Sequence, residues 1–518
     1  MIALELVIAM GAALLAGNLL AARLRISTPV VLVFLGVVLG LIPQLRGVHL
    51  PPEVMLLLIL PALLYWESLN TSLRLIRRNL RTITLMSTLL VFATAAVVAT
   101  VAHALGLPWG CAWVLGGALA PTDATVVGAF GRSLPRRTVT VLKAESLIND
   151  GAALVIYGLA ISTTMAGHRP GALRVTWLLI LSYGGGLLVG FVVGRIAVAI
   201  RRRVADPMLE NVTILLTPFT AFLLAELAGA SGVIAAVVTG LLMSRYGPRV
   251  GHASTRVQTI GFWSLATFLL NGGLFVLIGI QVHEAVRGLD TEPLLRGILL
   301  VVMISAVLVA TRFAWLFTTP YVIRFLDRRP AQRQRRVDAR TRVVSGVAGF
   351  RGAVSLAAAL AVPASFPDRH LVVFIVSGVI VVTLVTQAFI FGPVVRWAQL
   401  PPDTEFLEEL RLAERVAALQ AMDSLPALAD QVRAEPAVVE EVRNELRAEI
   451  DGLRAGDDEA AGHIEDEYTA LRLATIAGKR AAVIALRDQN RIDDLVVREM
   501  QSRLDREEVR LAGGPDPE

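Results

Sequence analysis

The chain has 518 residues, 55% of them hydrophobic and 18% charged, with a mean hydropathy of +0.64. That is too apolar for a soluble globular protein of this length. The charge is also divided: residues 1–402 carry 34 Lys and Arg against 15 Asp and Glu, whereas residues 403–518 carry 15 against 28, so a basic apolar region precedes an acidic polar one. The sequence pI of about 9.9 comes from arginines set between long apolar runs, which indicates membrane topology rather than a phosphate-binding face and sets nucleic acid aside. The single cysteine, Cys111, excludes an intramolecular disulfide and a Cys-based zinc site, and inside an apolar run it reads as an inert packing thiol.

A membrane-spanning helix needs about 20 mostly apolar residues. That window predicts thirteen spans, near 2–22, 28–44, 53–70, 82–107, 109–131, 138–165, 175–200, 210–229, 231–245, 259–286, 293–320, 341–362 and 370–398. The first run lacks a basic leader and a small-residue cleavage site, so it reads as a span rather than a signal peptide. Alternate loops differ sharply in charge. One set carries 24 Lys and Arg, including Arg23, Arg25, Arg132, Lys143, Arg201, Arg245 and eight arginines from Arg324 to Arg342; the other carries five. Basic loops stay cytoplasmic, which predicts an outside N-terminus and a cytoplasmic tail. The long basic loop before span 12 could also meet anionic lipid headgroups.

Hydropathy falls at Pro401 and Pro402, and apolar residues then recur at helical spacing in "TEFLEELRLAERVAALQAM" and "IDDLVVREMQSRLDREEVRL". The reading is therefore two regions, a transmembrane domain over 1–400 and an acidic helical tail over 401–518, the tail serving as a solubilising or dimer-supporting appendage.

Carboxylates inside a membrane cost roughly 2.5 to 3.5 kcal/mol each on insertion scales, so each needs a reason. Glu67 falls in span 3, Asp123 in span 5, Glu145 and Asp150 in span 6, and Glu226 in span 8. In span 6, "KAESLINDGAALVIY" spaces Ser146, Asn149 and Asp150 at i, i+3, i+4, which sets a hydroxyl, an amide and a carboxylate on one helical face. Oxygen ligands suit a hard cation such as sodium. A carboxylate in a low dielectric can alternate between a proton and that cation, so one residue could couple two fluxes. The alternative is a buried structural hydrogen bond or a pairing of Asp150 with an arginine.

Span 5 contains "GGALAPTDATVVGAFG", with Pro121 in mid-span ahead of Thr122 and Asp123. Proline removes a helical hydrogen bond and clashes with the preceding turn, which predicts a break or a kink. Transporters place substrates at such breaks. Span 12 contains "SGVAGFRGAVSLAAAL", where Gly346, Gly349 and Gly352 surround Arg351, a buried charge that calls for a carboxylate partner. It lies seven spans after span 5, the spacing of two inverted six-span repeats joined by a linker span. No GxxxxGK[ST] loop argues for ATP, no HExxH or His/Cys cluster suggests a metalloenzyme and no GxSxG elbow is present, so an enzyme and a resident cofactor are not expected.

"APTD", "ESLIND" and "GFRGAVSLAAAL", in that order on spans 5, 6 and 12, closely resemble the cation:proton antiporter 1 family of sodium/proton exchangers over residues 1–400. The tail looks like that of the bacterial long form. The resemblance implies an all-α polytopic membrane protein of the plasma membrane, with crossed discontinuous helices. It implies a homodimer in which a six-helix core moves against a dimerisation domain. Asp150 matches the ion- and proton-binding aspartate, with Asn149 before it; Ser146, Thr122, Asp123 and Glu67 match the other groups around the cation. Glu145 and Arg351 look like a structural ion pair. Glu226 and Arg312 fall where relatives often have charges. Ala124 departs from the commoner "PTDP". The implied activity is exchange of Na+, or Li+ or K+, for H+. The competing readings are K+/H+ exchange and a gated cation channel, the latter disfavoured because one asymmetric cluster replaces a ring of filter groups.

Overall fold

The computed structural model describes residues 2–24, 26–42, 55–79, 83–123, 134–166, 172–250, 252–287, 291–326, 338–363, 365–401, 404–455, 459–489 and 494–511. It divides the chain into two compact units, Met1–Pro402 and Asp403–Glu518.

The first unit is built from helices: α1 (Ile2–Leu24), α2 (Thr28–Leu39), α3 (Leu60–Leu69), α4 (Leu73–Arg78), α5 (Leu90–Ala104), α6 (Trp109–Leu119), α7 (Arg136–Ala166), α8 (Ala172–Arg201), α9 (Pro207–Leu227), α10 (Gly232–Tyr246), α11 (Ala253–Arg287), α12 (Thr291–Leu326), α13 (Ala339–Val347), α14 (Ala353–Leu360) and α15 (Arg369–Ala398). Wide π-type turns, Met55–Ile59 and Leu85–Leu89, lead into α3 and α5. Among the described residues eight helices are long and apolar enough to cross a membrane, and four shorter apolar ones lie at Thr28–Leu39, Leu57–Leu69, Trp109–Leu119 and Gly232–Tyr246. The stretch 341–362, expected as one span, holds the interrupted pair α13 and α14. The second half of span 5, with Ala124, lies outside the described residues.

The helices sort into two groups by what they pack against. One contains α1, α2, α3, α8, α9, α10 and α11; the other contains α5, α6, α7, α12, α13, α14 and α15. The seam between them runs where α11 meets α15 and where α7 meets α3, α8 and α10. Within a membrane the hydrophobic effect does not press helices together, so close backbone approach at small residues does much of the work. Between α2 and α11, a Cβ at Gly36 would run into the Val276 carbonyl and one at Gly279 would meet the Val33 carbonyl and the Val37 amide.

One end of α8 is tied to its neighbours by a buried ionic cluster that the span reading had counted as loop charge. Glu210, in the first turn of α9, accepts from Arg201 Nε at 2.9 Å and Nη2 at 2.5 Å, and from Thr255 Oγ1 at 2.7 Å, while His252 Nδ1 lies 3.0 Å away. Glu226 is exposed at the other end of α9, where its Oε1 accepts from the Gly232 amide at 3.1 Å and so meets a free N–H of the first turn of α10. Cys111 is buried, and His103 stacks on Trp109 beside the end of α5.

The second unit contains α16 (Thr404–Val432), α17 (Pro436–Ala455), α18 (Glu459–Asp488) and α19 (Asp494–Leu511). α16 packs on α17 and α18 on α19. The second hairpin is laced by surface ion pairs, among them Arg472 with Glu507 at 2.7 Å and Arg480 with Glu508 at 2.5 Å. Such exposed pairs contribute little individually.

The Gly36/Gly279 contact predicts that Gly279→Val destabilises the membrane unit by about 1 to 3 kcal/mol through overpacking. Gly11→Ala, where an added Cβ meets nothing within 4 Å, should be close to neutral. Thermal unfolding in detergent separates the two; equal effects would show that the close approach is unimportant.

Candidate functional site

In the middle of the second group one helix ends and another is interrupted. α6 ends at Leu119, and Pro121, which has no N–H to give, follows in an extended stretch through Asp123. α13 ends at Val347, and the chain stays non-helical through Gly352 before α14 begins. The two stretches cross as a single antiparallel bridge, in which the Asp123 amide donates to the Phe350 carbonyl at 2.9 Å. Phe350 is fully buried, edge-on to Phe391 of α15.

A break exposes helix ends in a low dielectric, where their carbonyls and amides need partners. Arg351 Nε donates to the Leu119 carbonyl, the last residue of α6, at 3.1 Å, and its Nη1 donates to the Gly349 carbonyl. Arg312, from mid-α12, donates through Nε to the Ser345 carbonyl in the last turn of α13 at 2.9 Å. Cations therefore sit at both negative helix ends. Asp123 occupies the complementary place: its carboxylate fills the space that a Cβ at Gly352 would need, immediately before the first turn of α14, where the dipole is positive. Gly349 likewise leaves room for the Arg312 side chain.

The ion pair expected between Glu145 and Arg351 is made by Arg312 instead. Its Nη1 lies 2.5 Å from Glu145 Oε1 and its Nη2 lies 3.2 Å from Oε2, a two-pronged contact with both side chains buried. Arg351 answers its burial with the carbonyls of the broken helices, so the premise that it needed its own carboxylate was too narrow. The signal for Arg312 was nonetheless in the sequence, because it is a charge inside an otherwise apolar span and obeys the same rule that singled out Arg351.

Glu145 also accepts from Thr122 Oγ1 at 3.3 Å, and Thr122 Oγ1 in turn accepts from Asn149 Nδ2 at 2.8 Å. The same amide reaches the Thr122 carbonyl at 3.3 Å. The chain Arg312, Glu145, Thr122, Asn149 thus ties the break to the unbroken α7, and it commits the Thr122 hydroxyl to protein partners. A small cavity beside it is lined by Leu90, Val91, Thr94 and Ala120 together with Thr122, Glu145, Asn149, Arg312 and Arg351. The Asn149 Oδ1 is buried without a hydrogen-bond partner.

Asp150 follows Asn149 on α7 and is 4% exposed; Ser146, one turn earlier, is buried too. The charges acting on Asp150 are those of Asp123 and then Glu67, and Glu67, half-buried on α3, feels Asp123 and Lys143. The three carboxylates therefore share one field across the seam, two from the second group and Glu67 from the first. Among the described residues no three His, Cys, Asp or Glu side chains close on a common point. That spacing does not resemble a divalent metal centre, and a cation there would draw on neutral oxygens as well. Glu226 is not part of this arrangement.

The sodium/hydrogen exchanger family model matches residues 10–397. The chain belongs to that family. It is 42% identical, over 99% of its own length and 97% of the relative's, to the protein named uncharacterized Na(+)/H(+) exchanger Rv2287 of Mycobacterium tuberculosis. It is 28% identical to the low-affinity Na(+)/H(+) antiporter NhaS1 of Synechocystis, covering 78% of this chain and 77% of that one. Its fold is similar to that of the sodium proton antiporter MjNhaP1 from Methanocaldococcus jannaschii, with a TM-score of 0.59 at 19% identity, covering 77% of this chain and all of that one. The protein is thus an all-helical, multi-pass membrane antiporter, a transporter rather than an enzyme.

A double-mutant cycle tests the ion-pair assignment. Glu145→Gln or Arg312→Gln alone leaves a buried charge uncompensated and should cost about 3 to 5 kcal/mol, with the double substitution less harmful than the sum. Unfolding of the purified variants checks this, and a larger coupling for Glu145 with Arg351 than with Arg312 would reverse the assignment.

Proposed function

We propose that the protein exchanges sodium for protons by letting the two compete for Asp150. The observation that carries this reading is the placement of Asp150: a buried carboxylate on a continuous helix, beside the crossing of two broken ones and in the field of Asp123 and Glu67. A buried carboxylate in a low dielectric is costly to keep charged without a partner, so a proton and a cation are alternative ways of neutralising it. In this reading Ser146, Asp123, Glu67 and the Thr122 carbonyl supply further oxygens, while Asn149 positions Thr122 and adds no charge.

The finer assignments follow the family resemblance and the loop charges. The protein works as a homodimer in the inner membrane, N-terminus outside, with the tail in the cytoplasm and outside the transport step. Sodium is the first choice of cation, but a second reading includes potassium. The chain covers 56% of a Bacillus subtilis relative to which it is 29% identical, named a sodium, potassium, lithium and rubidium/H(+) antiporter. Oxygen ligands alone do not separate these ions.

Asp150→Asn should fold and lose exchange, since an amide cannot trade a proton for a cation. Sodium-driven proton flux in proteoliposomes at the normal rate would remove Asp150 from the mechanism. With one aspartate releasing one proton for each monovalent cation bound, and Asn149 neutral beside it, the loaded site carries the same charge in both half-cycles. Initial rates should therefore not change when a diffusion potential of either sign is imposed. A rate that follows the sign of the potential would mean that net charge moves and that Glu67 or Asp123 also exchanges a proton.

A further inference from the structure

We propose that Tyr183 on α8 is a specificity-determining ligand of the transport site, presenting its phenol oxygen to the Asp150 end of that site from the opposite helix group. This inference rests on the exchange reading above and adds a residue to it. The Tyr183 hydroxyl is buried and has no hydrogen-bond partner. Burying a hydroxyl without a partner is costly, so a position that keeps one asks for a reason.

Its surroundings supply the reason. The Tyr183 ring packs against the cluster of Val91, Ala95, Ala120, Ala152, Ala153 and Ile156. Ala120 immediately precedes the Pro121 break, and Ala152 stands two residues beyond Asp150, so the ring lies at the level of the site. Tyr65 and Tyr157 also have buried hydroxyls without a partner, but they lie in the fields of Arg201 and Arg369; Tyr183 lies in that of Asp150. α8 is also held from within the first group: the Ser231 amide donates to the Ser182 carbonyl at 3.1 Å, and Gly186 lies too close to the Ser231 carbonyl to admit a Cβ. The phenol is thus carried by the first helix group, whereas Asp150 belongs to the second.

The chemistry fits an alkali cation. A neutral oxygen adds a ligand without adding charge, which preserves the one-for-one balance, and its reach from a separate helix sets the size of the space around the ion. Selectivity among sodium, lithium and potassium is the property such a ligand controls.

Tyr183→Phe removes the oxygen and keeps the ring. In proteoliposomes it should raise the KM for sodium about three- to tenfold, as expected for one lost polar contact, leave kcat within about twofold, and change the order of preference among sodium, lithium and potassium. Thermal stability without added salt should be unchanged, while the sodium concentration giving half of the salt-induced rise in Tm should move up by the same factor. If the wild-type protein exchanges cations but Tyr183→Phe keeps its KM values and ion order, the proposal is overturned while the exchange reading stands. A fall in kcat and in salt-free Tm together, with an unchanged ion order, would make Tyr183 a packing residue and overturn it equally. Absence of exchange in the wild type would instead overturn the reading on which the proposal rests, and an unchanged sodium midpoint in the thermal assay would then dispose of the proposal too.

Discussion

Breaking a helix inside a membrane leaves polar backbone groups that lipid cannot satisfy, and the architecture around the candidate site is an answer to that problem. The stretch after α6 and the gap between α13 and α14 are placed against each other, so that one amide and one carbonyl satisfy each other across the crossing. The remaining ends are met by charge of the opposite sense, Arg351 and Arg312 at the carbonyl ends of α6 and α13 and Asp123 at the amide end of α14. Glu145 then offsets Arg312 and fixes Thr122. Each group is costly alone, and the set is tolerable because every member completes another.

This self-satisfied crossing leaves Asp150 as the less committed group. The carboxylate of Glu145 is saturated by a guanidinium and a hydroxyl, and that of Asp123 lies against a helix end, whereas Asp150 is buried on a continuous helix. That contrast supports the exchange role proposed for Asp150. The seam placement also matters, because Glu67 and Tyr183 belong to one helix group and Asp150 to the other. Relative movement of the groups would change the company that Asp150 keeps without dismantling the crossing.

Much of this was legible in the residues themselves. Pro121 announced the end of α6 because a proline cannot extend a helix, and the spacing of Ser146, Asn149 and Asp150 placed them on one face of α7. Gly349 and Gly352 read as helix weakeners, but their deeper role is to leave room for the side chains of Arg312 and Asp123, which no local pattern reveals. The partner of Glu145 was misread because two arginines from different spans can reach one carboxylate, and only three-dimensional packing chooses between them. Arg201 reads in sequence as loop charge, yet it forms a buried cluster with Glu210 because α8 extends to Arg201 and brings it against α9. Glu226 reads in sequence as a membrane carboxylate and in space as an exposed ligand for the start of α10.

The central claim is that cation and proton exclude one another at a single site, and binding tests it more directly than flux. Cation binding to a group that must lose a proton releases that proton. Purified protein in weakly buffered detergent solution, held at a pH where the site is protonated, should release about one proton per chain on addition of sodium chloride and none with choline chloride. Sodium binding seen by calorimetry without proton release would contradict the account, because the two ions would then occupy separate places.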